Sequence, residues 1–153
     1  MGIRIEQAFT VKAPAEEVWA YLMDPRRVAG ALPGAEIIEE VDGRTFKGKI
    51  TVKVGPVSAK FGGLVRFEEI DEEARTATLV ASGRGLRGVG NAEMRMQGRV
   101  SDAGGGETAV KMSSEVTITG LLAQFGRGMI DEVSQQMMKR FAEALRADLE
   151  GRD

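Results

Sequence analysis

The chain has 153 residues, with 21 Lys and Arg against 23 Asp and Glu and a formal net charge of −2. That is the size of one domain, without the basic field of a nucleic-acid binder. It contains no His and no Cys, so Ser-His-Asp triads, cysteine nucleophiles and thiolate or imidazole zinc sites are excluded together.

The opening Met1 to Glu6 offers neither the apolar stretch of a signal peptide nor a myristoylation site. The uncharged run Val116 to Gly126 is short of the roughly 18 to 20 residues that span a bilayer. A cytoplasmic location is expected. Ile3, Ile5, Gln7, Phe9 and Val11 alternate with Arg4, Glu6, Ala8, Thr10 and Lys12, the two-residue period of a half-buried strand. Pro14 and the acids Glu16 and Glu17 precede Val18, Trp19, Tyr21 and Leu22 at helical spacing, which predicts a short helix from Ala15 to Met23. Asp24 before Pro25 caps a second, to about Ala31, and Leu32-Pro33-Gly34 ends it.

From Ala35 to Thr119 strand-like segments alternate with turn signals. Asp42-Gly43 predicts a two-residue hairpin turn with positive backbone angles, between Glu36 to Val41 and Arg44 to Val54. After Gly55-Pro56 the segment Val57 to Ile70 is long, and Gly62-Gly63 predicts a bulge or bend within it. Asp71 to Ala74 is the next loop, followed by strands Arg75 to Gly85, Val89 to Val100 and, after Gly104-Gly105-Gly106, Thr108 to Thr119. The period then changes: Leu122, Phe125, Met129, Val133, Met137, Phe141 and Leu145 recur at three- and four-residue steps, predicting one amphipathic helix over residues 121–149, about 43 Å long.

The fold class is α+β, a seven-stranded antiparallel sheet wrapped around the C-terminal helix as one domain over residues 1–153. Glycines at Gly48, Gly63, Gly83 and Gly98 suit the bends of such a sheet. A sheet curled around a helix without full contact leaves a pocket. The residues expected to line it are Phe46, Ile50 and Val52 on the third strand, Phe61, Val65 and Phe67 on the fourth, and Leu79 on the fifth. Ala92, Met94 and Met96 follow on the sixth strand and Val110, Met112 and Val116 on the seventh. The helix contributes Phe125, Met129, Val133 and Met137. Between Asn91 and Val100 the ionisable groups all fall on the outward positions, and Gln7 and Ser114 are the polar inward candidates. Neither is an acid or base near neutrality, so no catalytic residue is expected. Methionines adapt to an irregular apolar guest, and they equally compose an ordinary gap-filled core.

Three other signals have plain explanations beside functional ones. Gly83-Arg84-Gly85-Leu86-Arg87-Gly88 matches a dinucleotide-binding pattern but leads into a strand, not a helix, and reads as a glycine-rich hairpin. Lys47, Lys49, Lys53 and Lys60 share an outward face that could meet anionic lipid or an acidic protein, or simply guard the sheet. Gly126 and Gly128 loosen the helix start, as a gate or for close packing.

The order strand, two short helices, six strands and long helix resembles the helix-grip fold of the START-like (polyketide cyclase, Bet v 1-like) superfamily. Val11 to Trp19, Asp24-Pro25, Leu32-Pro33-Gly34-Ala35, Val54 to Val57, Phe61-Gly62-Gly63 and Gly120 to Ala123 are similar to the carbon monoxide dehydrogenase CoxG family, over residues 3 to 147. Where that family often has Cys before the Leu-Pro-Gly turn, this chain has Ala31, which removes a thiol but keeps the turn. The resemblance implies a non-enzymatic accessory protein for a molybdenum hydroxylase of the carbon monoxide dehydrogenase type. It implies no covalent cofactor, a bound quinone or lipid in the pocket, and peripheral contact with the cytoplasmic membrane. Some members reach the membrane through a C-terminal extension. This sequence ends at Asp153, where a shuttle of apolar ligand is the expected link. The alternatives are a docking protein acting through its lysine face, and a cyclase or hydratase using Tyr21, the one tyrosine.

Overall fold

Alternation builds the sheet and helical spacing covers it. In the computed structural model, which describes residues 2–150, β1 spans Gly2–Val11, α1 Ala15–Leu22 and α2 Pro25–Ala31. Met1, where the N-terminal reading begins, and the closing residues 151–153 lie outside it. There follow β2 (Ala35–Asp42), β3 (Thr45–Val54), β4 (Val57–Asp71), β5 (Thr76–Gly85), β6 (Asn91–Gly104) and β7 (Glu107–Thr119). A 3₁₀ turn, Leu121–Phe125, leads into α3, Gly126–Glu150. The strands form one antiparallel sheet in the order β1-β7-β6-β5-β4-β3-β2, a meander closed at one side by the first strand. None of the described helices is long and apolar enough to cross a membrane.

Asp24 caps α2 as expected, accepting from the N–H groups of Arg26 and Arg27. The β2–β3 turn differs from expectation. Asp42 pairs with Thr45, so the turn residues are Gly43 and Arg44, and none of these has a positive φ. The Asp42 carboxylate closes the turn instead, accepting at 2.8 Å from the N–H groups of Arg44 and Thr45. Those bonds, Arg44 first, hold the carboxyl below its ordinary value.

The bulge in β4 is also elsewhere than the glycines. Gly62 and Gly63 pair in regular register, while the shift falls between Phe67 and Glu69. Glu68 is the extra residue, and its carboxylate takes both Nη groups of Arg95, each at 2.9 Å. Gly63 serves close approach: a Cβ there would overlap the Ser82 carbonyl oxygen. The C-terminal helix is not continuous from residue 121, because Gly126 at φ 83° separates the 3₁₀ turn from α3.

Two apolar clusters hold the layers together. One joins Val11, Val18, Trp19, Tyr21, Val100 and Val110 to Phe141, Leu145 and Leu149 of α3. The other joins Ile3, Ile5, Val54, Ala59, Val89 and Ile118 to Leu122 and Ile130. Removing Phe141, 3% exposed, to Ala is the kind of change that costs about 3 to 5 kcal/mol.

Candidate functional site

Between the two clusters lies the middle of the concave face. Pairing puts Phe46 opposite Val65, Val65 opposite Ala81, Ala81 opposite Met94 and Met94 opposite Val116. The next row is Phe67, Leu79, Met96, Ser114 and Ile5. Beside them Gly48, Gly63, Gly83 and Ala92 stand in one register row across β3, β4, β5 and β6, so no side chain there exceeds a methyl group. Phe46 and Phe67 are buried. Ile50, Val65, Leu79, Met94, Met96 and Met137 are only half-buried and belong to neither apolar cluster. These side chains keep accessible surface on the covered face of the sheet. The backbone of α3 runs closest to β1 and β3, standing off from the strands between.

The expected lining residues therefore divide. Val52, Phe61, Phe125, Met129 and Val133 pack as half-buried margin of the second cluster, and Met112 as margin of the first. Val110, 1% exposed, is solid core and lines nothing. Ala81, half-buried between Val65 and Met94, belongs to the strip although its small side chain gave no signal beyond alternation.

Polar groups on this face are few. The Gln7 side-chain amide donates to the Ser134 carbonyl of α3 at 3.1 Å, tying β1 to the helix. Ser114 is 6% exposed. From Ala92 to Val100 on β6, and from Val110 to Ile118 on β7, every inward position is uncharged.

The rim is built by loops at the start of α3. A Cβ on Gly55 would touch the Met129 sulfur at 3.4 Å. The Leu86 N–H donates to the Lys60 carbonyl, and the Leu122 N–H to that of Val89, both at 3.0 Å. Gly34, between α2 and β2, accepts from the Thr51 N–H at 3.1 Å. The pattern Gly83 to Gly88 falls at the end of β5 and in its hairpin, with Arg87 and Gly88 at positive φ. No helix N-terminus follows it to receive a pyrophosphate.

Tyr21 lies elsewhere, in the first cluster, 1% exposed. Its hydroxyl donates to Asp148 at 2.7 Å and Arg27 stacks 4.4 Å from its ring centroid. Burial first, and then the Asp148 carboxylate, push its phenol above the ordinary value. On the convex face two open grooves, of about 680 and 460 Å³, run between pleats and are lined by charged side chains such as Glu6, Arg99 and Lys111, or Arg66, Glu93 and Arg95. They are open on the outer face of the sheet, and charged side chains alternate there with apolar ones such as Leu64 and Val80.

Solved structures of the same architecture include a conserved protein from Geobacillus kaustophilus, with a TM-score of 0.87 and 18% identity over 95% of this chain and 94% of that one. The Zhui aromatase/cyclase from Streptomyces sp. R1128 matches with a TM-score of 0.71 and 17% identity over 98% and 94% of the two chains. A START superfamily protein from Mycobacterium smegmatis matches with a TM-score of 0.68 and 12% identity over 97% of each. These likenesses establish the helix-grip fold. A search of curated protein sequences finds no match. The carbon monoxide dehydrogenase CoxG family matches residues 8–150, and the chain belongs to that family.

Proposed function

We propose that this chain is a non-enzymatic carrier. It holds a neutral lipophilic molecule, of the respiratory quinone or similar lipid kind, between its curved sheet and α3. It serves a molybdenum hydroxylase of the carbon monoxide dehydrogenase type at the cytoplasmic membrane. The observation that carries this reading is the half-buried apolar strip between the two clusters, from Ile50 and Val65 through Leu79 to Met94 and Met96, in a chain of the CoxG family. Each methylene buried there contributes about 0.8 kcal/mol, so a tail of ten supplies roughly 8 kcal/mol before binding costs. Micromolar affinity then needs little polar contact.

Against catalysis stands Tyr21, whose phenol is enclosed in the first cluster and held protonated near neutrality. For membrane contact speak Leu86, 58% exposed, and Leu121, 43% exposed, beside Arg84, Arg87 and Lys60 at the rim. Exposed leucines flanked by cations suit an anionic lipid surface. Solvent extraction of the purified protein followed by mass spectrometry is expected to release a lipophilic molecule, and the stripped protein is expected to bind a decyl-substituted benzoquinone at micromolar concentration. An empty extract together with no binding of the added quinone sinks the carrier reading.

A further inference from the structure

Ser114 is the polar residue that the hollow does not explain. It sits on β7 between Ile5 and Met96, on the concave face, and only 6% of its surface is exposed. Every fully enclosed side-chain nitrogen or oxygen among the described residues has a hydrogen-bond partner. The Ser114 hydroxyl has none, although the residue is buried. It therefore borders interior space large enough to admit a water-sized group. A polar atom of a guest, or solvent, can reach the hydroxyl there.

A lone water is a poor partner, because an enclosed water needs two to four polar contacts and the neighbours here are Ile5, Met96, Met112 and Val116. The other nearby polar group is Gln7, opposite Met112, whose amide nitrogen donates to Ser134 and whose amide oxygen remains an acceptor. A ligand needs less. One oxygen at its end satisfies the hydroxyl, and its apolar remainder is at home against the half-buried Met94 and Met96.

Resting on the carrier reading, we infer that Ser114 anchors the oxygen-bearing end of the guest, with the apolar tail running along the half-buried strip of Met96, Leu79, Met94 and Val65 toward β3 and β4. The hydroxyl fixes the ligand class. It donates to a carbonyl and accepts from a hydroxyl, so it serves a quinone and its reduced quinol alike. A carboxylate or phosphate end is disfavoured, because no cation occupies the inward positions of β6 and β7 around it.

The test compares the wild-type chain with Ser114→Ala and the near-isosteric Ser114→Cys, each checked for wild-type thermal unfolding. Three probes are titrated by calorimetry: decyl-benzoquinone, decylbenzene and palmitate. The wild type is expected to prefer the quinone over both others. Ser114→Ala is expected to lose about three- to tenfold for the quinone with decylbenzene unchanged, and Ser114→Cys to fall between. The infrared carbonyl stretch of bound quinone is expected at lower frequency in the wild type than in Ser114→Ala, which a purely structural serine would not produce. Equal quinone affinity and equal carbonyl frequency in wild type and Ser114→Ala overturn the anchor and leave the carrier standing. Tighter binding of palmitate than of quinone overturns the ligand class. No binding of any probe by the wild type overturns both.

Discussion

Tyr21 and Trp19 show how single polar atoms are settled inside an apolar cluster. The Trp19 indole N–H donates to Glu72 at 3.1 Å and the Tyr21 hydroxyl to Asp148 at 2.7 Å, so each ring is buried while its polar tip reaches a carboxylate toward the surface. The folded chain holds the Tyr21 proton more tightly than the unfolded chain does, by burial first and by Asp148 second. This contribution to stability is whole below the ordinary phenol value of 10.0 and declines as pH rises above it. Tyr21→Phe is expected to cost about 1 kcal/mol at neutral pH for the lost hydrogen bond and to flatten the alkaline loss of stability, read from urea midpoints between neutrality and strong alkali. An unchanged alkaline limb would show that another group governs it. In contrast, Glu68 is held below the ordinary carboxylate range mainly by Arg95, and its contribution is lost only as acid protonates it.

The strands were legible because alternation survives in them, and errors gathered where a second cause produces the same letters. Gly62-Gly63 looked like a bulge, yet these residues pair regularly and Gly63 exists to let β5 approach. The bulge at Glu68 had its own signal: the apolar step from Phe67 to Ile70 is three residues in a two-residue pattern. The interruption at Gly126 was hidden because glycine inside a helical pattern marks either close packing or a break. The site was legible as a list of inward residues and not as a hollow. Alternation tells which way Leu79 or Met96 points, but not how far a helix stands off above it. That standing-off makes a prediction about filling. Ala81→Phe adds a ring beside the glycine row. In a solid interior it would cost about 1 to 3 kcal/mol, several degrees of melting temperature for a chain of this size. The expected result is a melting temperature within a few degrees of wild type and at least tenfold weaker quinone binding.

For the molecule as a whole, the two ends of the sheet-helix sandwich do different work. The end with Phe141, Leu145 and Leu149 is tight core, and further tied by Arg146 to the Thr10 carbonyl at 2.9 Å. The other end combines Leu86 and Leu121 with the rim loops. On the convex face Lys49 pairs with Glu36 at 3.5 Å, while Lys47 and Lys53 remain exposed, so two surfaces compete for the role of membrane or partner contact. Flotation with vesicles containing anionic lipid separates them. Leu86→Ser combined with Arg87→Glu is expected to release the protein from vesicles, and Lys47→Glu with Lys53→Glu to leave most of it bound. The reverse ranking would move the contact to the sheet face and favour a docking role. The pairing of β1 with β7, which sets Ile3 against Val116, also governs when the interior can exist. During synthesis the first strand leaves the ribosome long before its partner, and waits unpaired while the rest of the sheet is made. The floor and the roof of the hollow are thus both completed only by the last third of the nascent chain. A guest of the proposed kind is therefore loaded only after β7 and α3 have been made.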